Sequence, residues 1–232
     1  MTLRQIVAGA VSLLMAATII FMPLRAIIGG AGVSARKVEG IVWDGSIRDL
    51  RLGKLLIGDV NARLHILPLL VGRAEMSLSR GDAPFARGIN GSVTRRFSGI
   101  SIERMNAVIP VASLFAALPA ENVELQDFSA RFASGRCAEA SGTVRLTLAN
   151  GLPSLDLSNG LLGKPRCDRG QLLIPLISQS AMEHVDIRVP GDGTYTATIY
   201  LEGDRAEQGA PLTLAGFRPV AGGYRRVLKG RF

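Results

Sequence analysis

The chain has 232 residues, with 27 Lys and Arg against 19 Asp and Glu, a net charge of +8, two histidines and two cysteines. Hydrophobic residues make up 47% and charged residues 20%, which excludes a disordered polyelectrolyte and a cysteine-dense mini-scaffold and leaves one sizeable domain or two small ones. The basic charge is nearly all arginine, with lysine only at Lys37, Lys54, Lys164 and Lys229. A nucleic-acid interface concentrates such residues or interleaves them with aromatics. Here they are scattered singly, with Arg95-Arg96 and Arg225-Arg226 the only arginine doublets, so a solvated strand face is expected and no nucleic-acid partner. A weak attraction to an anionic membrane surface is the remaining use for the charge.

Residues 6–22 read IVAGAVSLLMAATIIFM, a run without charge between Arg4 and Pro23-Leu24-Arg25. Continued to Leu24 at about 1.5 Å per residue, it just spans a hydrocarbon core of roughly 30 Å. An uncleaved single-pass anchor is expected, with a tail at 1–5, the anchor at 6–24, a linker at 25–36 and an exported domain at 37–232. A cleaved signal peptide is the alternative, since small residues follow at Gly29-Gly30-Ala31-Gly32, although no A-x-A site closes the run directly. The charges on its two flanks do not favour export. The short N-tail and the cysteine pair do.

Beyond residue 37 the pattern has period 2. Val38–Leu50 reads as a hairpin around Trp43, with Gly40 and Gly45 permitting the tight geometry on either side. Trp43, the only tryptophan, has the apolar area to anchor that hairpin in the core. Ala62, Leu64 and Ile66 alternate with Asn61, Arg63 and His65, and Ala74, Met76 and Leu78 alternate with polar residues, so both segments predict strands with one buried face. Between them Leu67–Val71 predicts a single helical turn. Residues 89–105 resemble the first hairpin and predict another one of the same meander.

Residues 109–118 (IPVASLFAAL) predict two to three helical turns, closed by Pro119. Past them, Val123 and Leu125 fall out of parity with Phe128, Ala130 and Phe132, which predicts a β-bulge near Gln126-Asp127. Val144, Leu146 and Leu148 form a further strand. Val185–Val189 and Tyr195–Leu201 flank Pro190-Gly191-Asp192-Gly193, a hairpin signal, and another helical turn is expected at 212–217. So few helices cannot cover the apolar side of so many strands. The fold expected is therefore mostly β: an N-terminal membrane helix, then an antiparallel β-meander closing on itself as a cupped sheet, sandwich or open barrel, with a few short helices.

Cys137 and Cys167 make an even pair in an exported domain and predict a disulfide, with two buried free thiols as the alternative. No metal site is expected, because His65 and His184 lie far from the cysteines in sequence. No G-x-S-x-G, H-E-x-x-H or P-loop occurs, and Gly163-Lys164 lacks the upstream glycine and the following hydroxyl. No catalytic residue and no cofactor are assigned, and an enzyme is not expected.

The segment Val38-Glu39-Gly40-Ile41-Val42-Trp43-Asp44-Gly45 resembles the G-x-V/I-W-x-G opening of the type II secretion system protein N family. The likeness continues through Leu52-Gly53, Ile57-Gly58-Asp59-Val60, Leu64–Leu70 with Gly72-Arg73, Gly160–Gly163 leading to Cys167, Asp192–Ala197 and Gly216-Phe217. These are structural turns, and the stretch from about 83 to 135 adds little. The resemblance implies a non-enzymatic inner-membrane accessory subunit of a Gram-negative protein-secretion machine. Its periplasmic domain would assemble or position other subunits, and its anchor would meet membrane lipid. A periplasmic β-groove protein that binds or passes lipids, of the AsmA type, is the alternative from a different class.

Overall fold

When every second side chain of a strand is apolar, neighbouring strands must pair in a register that puts those side chains on one face. The computed structural model describes residues 21–26, 33–53, 55–80, 88–112, 120–148, 160–203 and 209–231, and most of them enter one hydrogen-bonded sheet. Its strands are β1 Val33–Ser34, β2 Lys37–Ile41, β3 Asp44–Leu52, β4 Leu55–Leu64, β5 Ala74–Ser79, β6 Ile89–Arg96, β7 Gly99–Pro110, β8 Ala120–Ala133, β9 Arg136–Leu148, β10 Leu161–Gly163, β11 Arg166–Asp168, β12 Gln171–Ile177, β13 Glu183–Val189, β14 Thr194–Glu202, β15 Arg218–Val220 and β16 Gly223–Arg231. The spatial order is β1-β3-β4-β5-β6-β7-β8-β9-β10-β12-β13-β14-β16-β15, with β2 also on β3 and β11 also on β12. The expected antiparallel meander is observed, as one continuous ladder.

One face of this sheet holds the core. Ile47, Val60, Ala62, Met105, Ala107, Phe128, Ala130, Val144, Leu146, Leu176, Val185, Ala197 and Ile199 belong to a single buried cluster. Among the described residues no second sheet covers it, so the ladder must curl. β4 and β7 approach within 8 Å although β5 and β6 lie between them; in a flat sheet three strand spacings would be about 14 Å. The interior is filled by its own side chains, with Leu146 and Leu161 1% exposed and Leu176 and Ala197 fully covered.

Bulges supply the curvature. The ladder shifts register at Ile102/Met105 between β7 and β8 and at Gln126/Ser129 between β8 and β9, as the parity shift near Gln126-Asp127 predicts. Arg104 and Asp127 take positive φ there, and the Asp127 amide donates to Asn106 Oδ1 at 2.9 Å. Gly142 on β9 faces the bulge, where a Cβ would lie 2.7 Å from the Asp127 carbonyl oxygen.

The hairpins at Pro190–Gly193 and at 89–105 form as expected. Short helical turns occur at Ile66–Leu69 and Gly209–Leu214. The helix expected at 109–118 is corrected at its start. Ile109 and Pro110 end strand β7, opposite Val123 and Asn122, and the Val111 amide donates to Glu121 O. Met105, Ala107 and Val111 keep period 2 through this stretch, and pairing with β8 overrides the local helical preference. Residues 113–119 lie outside the described residues. So does residues 1–20, most of the expected anchor; among the described residues no helix is long and apolar enough to cross a membrane.

Two fasteners hold the ladder, one at its first edge and one in its interior. At the first, Leu24, in a 3₁₀ turn Leu24–Ala26, is fully buried against the β2–β3 hairpin, and a Cβ on Gly45 would lie 2.6 Å from Leu24 Cδ2. The second is at β11. β10 and β11 keep one register on β12 (Leu162 opposite Ile177, Arg166 opposite Leu173), interrupted by Lys164 and Pro165, which has no N–H to give. Cys137 and Cys167 are disulfide-bonded and tie β11 to β9 with Cα atoms 5.5 Å apart. Arg188 Nη1 on β13 donates to Asp168 Oδ2 at 2.6 Å.

Three outcomes are expected. Replacing both Cys137 and Cys167 by Ser removes a 30-residue loop closure and should lower unfolding stability in urea by about 3 kcal/mol; unchanged stability contradicts the fastener. Leu24→Ala should cost about 2–4 kcal/mol as a cavity at a fully buried site, whereas a surface leucine would cost almost nothing. The Arg188 guanidinium, chiefly through its hydrogen bond, holds the Asp168 carboxyl below the usual range. This contact therefore supports the fold at neutral pH and is lost as pH falls through that lowered value. In Arg188→Gln, NMR titration should find the Asp168 midpoint moved upward.

Candidate functional site

The strands run alternately toward two ends of the sheet, so their hairpin tips gather there. One end collects the tips at Val42-Trp43, His65–Gly72, Phe97-Ser98, Ser134-Gly135 and Pro190–Gly193. The residue that is buried in the first tip is Val42, 1% exposed, with Trp43 half-buried beside it. Gly40 and Gly45 face each other across this hairpin. Gly40 has φ +88°, and a Cβ there would lie 2.5 Å from Asp44 O, so the turn demands glycine.

The N-terminal segment arrives at the same end. The Val42 amide donates to Met22 O at 3.0 Å, Pro23 bridges Ile41, and the Leu64 amide donates to Val42 O at 3.0 Å. Two strand spacings, about 10 Å, therefore separate Met22 from the start of the Ile66–Leu69 turn. A Cβ on Gly72 would lie 3.4 Å from the Phe97 ring, which brings the next tip alongside. Further round, the Gly135 carbonyl packs so closely on Gly191 that a Cβ would not fit. Between the tips lies a cleft of about 430 Å³, lined by Arg95, Arg96, Phe97, Ile100, Phe132 and Pro190.

On the side nearest the N-terminal segment the chemistry of this rim is apolar with a cationic fringe, whereas the Ser134-Gly135 and Pro190–Gly193 tips are polar. Among the described residues, six apolar side chains are more than 70% exposed: Phe21, Leu67, Leu70, Val71, Phe97 and Leu214. All but Leu214 lie on the rim. Arg95 and Arg96 are exposed beside Phe97, and Arg73 follows the Ile66–Leu69 turn. The cleft has no nucleophile with a base beside it, and its polar lining groups are arginines, serines and backbone. Among the described residues no group of three His, Cys, Asp or Glu is placed to hold a metal ion.

Sequence-predicted residues fall into two groups that the fold keeps apart. Gly40, Trp43 and Gly45 come together in the first hairpin, and Cys137 with Cys167 in the second fastener, with β4 to β8 between. His65 Nε2 lies 2.7 Å from Ser77 Oγ and His184 Nε2 lies 2.8 Å from Ala181 O, both within the local fold. Two features escaped the sequence reading. At the opposite end of the sheet Glu183, 7% exposed, accepts hydrogen bonds from Ser178 Oγ and Ser180 Oγ at 2.7 Å each, a satisfied turn lock. The rim itself left one signal: Pro68-Leu69-Leu70-Val71 is an apolar run where a loop is normally polar.

Three comparisons bear on identity. No solved structure matches the chain. The type II secretion system protein N of Vibrio cholerae serotype O1 (strain ATCC 39315 / El Tor Inaba N16961) is 24% identical over 151 residues, 60% of each chain, so this chain spans about 60% of the length of that curated relative. The family described as type II secretion system (T2SS), protein N matches residues 31–227, the whole span from β1 into β16. With its Gly40–Gly45 hairpin and its single antiparallel meander inside that span, the chain belongs to the type II secretion system protein N family.

Proposed function

We propose that the protein is a non-enzymatic accessory subunit of the type II secretion machinery, held in the inner membrane by the apolar segment expected at 6–24, whose last two residues, Pro23 and Leu24, pack into the β domain and leave 6–22 for the bilayer. Its β domain, 37–232, stands on the periplasmic side and assembles or positions other subunits by contact. Family membership supports a role in secretion. The observation that carries the contact mechanism is the last sheet edge, partly open and basic on its outward face.

The first edge is latched at one point. β1 and β2 lie end to end along β3, and Pro23 closes on Ile41. At the last edge β15 covers β16 only from Gly223 to Arg225, which leaves residues 227–231 with no outer strand among the described residues. Unpaired strand N–H and C=O groups accept an extended segment of another chain. Arg225, Val227, Lys229 and Arg231 project from the outward face of β16, so self-pairing is repelled and an acidic strand is attracted. Val227, 46% exposed between them, offers the apolar contact.

In the native host, a photocrosslinking residue at position 227 is expected to capture another type II secretion subunit. Deleting the gene is expected to reduce secreted enzymes in the medium while envelope lipids stay unchanged. Normal secretion, with no secretion subunit captured at 227, would contradict the reading.

A further inference from the structure

We infer that the hairpin rim is a bilayer-contacting surface: Ile66, Leu67, Leu70, Val71 and Phe97 enter the interfacial layer of the membrane that residues 6–22 cross, and Arg73, Arg95 and Arg96 sit against its anionic phosphates. The inference rests on the anchoring reading above and adds a second membrane contact to it.

Position is the first ground. Met22, where the apolar run ends, is hydrogen-bonded through its carbonyl to Val42 in the first hairpin tip, and the fully buried Leu24 fixes the chain there. A segment leaving the bilayer at Met22 has no slack in which to lift the rim away. The Ile66–Leu69 turn, about 10 Å off by two strand spacings, is therefore carried at headgroup depth. Phe21, 73% exposed at the exit, continues the same apolar belt.

Exposure is the second ground. Hairpin loops that face water carry Gly, Asn, Asp and Ser, yet this rim exposes Leu67 and Leu70 at 79% each and Phe97 completely. The Gln179–Met182 turn at the far end of the sheet exposes one large apolar side chain, Met182 at 42%, and is otherwise held by Ser178, Ser180 and Glu183 bonded to one another. Charge is the third ground. Arg95 and Arg96 are exposed beside the Phe97 tip and the half-buried Arg73 follows the Ile66–Leu69 turn, the arrangement that places aliphatic and aromatic groups at the acyl boundary and guanidinium groups among phosphates. A soluble acidic partner would use the arginines and leave five large apolar side chains in water. A bilayer uses both.

The test uses the full chain in vesicles of phosphatidylethanolamine and phosphatidylglycerol. Because the two native cysteines are disulfide-bonded, single cysteines introduced as Ala16→Cys, Leu70→Cys, Phe97→Cys and Gln179→Cys each take an environment-sensitive fluorophore. Quenching is then measured with nitroxide-bearing lipids. Labels at 16, 70 and 97 are expected to be quenched several-fold more than the label at 179, those at 70 and 97 by shallow nitroxides and that at 16 by deep ones. Arg95→Gln with Arg96→Gln should weaken quenching at 97 in these vesicles and leave it unaltered in purely zwitterionic ones. If 16 is quenched while 70 and 97 match 179, the rim contact is overturned and the anchor stands. If 16 is not quenched, the anchoring reading fails and the inference falls with it. A label at 70 that is dark to lipid but captured by a secretion subunit in cells overturns the inference in favour of a protein partner.

Discussion

A single sheet with one apolar face must cover that face itself. Everything else in this molecule follows from that constraint. Among the described residues the helices are too few and too short to serve as a second layer, so the ladder curls, and the bulges at Arg104 and Asp127 place the curvature where three long strands, β7 to β9, have to bend together. Burial then needs fasteners, because a curled sheet with two free edges loses its core when either edge peels. Leu24 supplies one at the N-terminal edge. The Cys137–Cys167 bond and the Asp168–Arg188 pair supply another where β10 and β11 are too short to hold by ladder bonds alone.

The same constraint makes the molecule asymmetric, and the proposed function rests on that asymmetry. The latch on the first edge also fixes where the N-terminal segment leaves the sheet, beside the tips that expose Leu67, Leu70 and Phe97. The last edge, by contrast, is left partly open along β16. A subunit that works by position needs a defined attitude and a free binding edge. Rim and edge offer these at different places on one rigid ladder.

Much of this was legible in the sequence, for a physical reason. Alternation at residues such as Ala62/Leu64, Val144/Leu146/Leu148 and Tyr195/Ala197/Ile199/Leu201 encodes which face is buried, and the parity shift between Leu125 and Phe128 encodes a bulge. The two cysteines could be paired by count because nothing else competed for them. What alternation does not encode is continuity: nothing in IPVASLFAAL says that β8 will claim Ile109 and Pro110 as strand. The rim was illegible for another reason. Leu67, Leu70 and Phe97 read as ordinary apolar residues until the fold places them at tips with nothing over them. A three-dimensional juxtaposition, Met22 beside Val42 beside Leu64, has no local signature at all.

The central claim is that the N-terminal segment is fixed to the first hairpin and so sets the attitude of the whole sheet. Its most direct measurement is hydrogen exchange at the Val42 amide of the full chain in lipid, since that amide donates to Met22 O. The account predicts that it exchanges only with global unfolding, as slowly as core strand amides. Fast exchange at Val42, with β3 and β4 still protected, would show the segment free of the sheet and contradict the account.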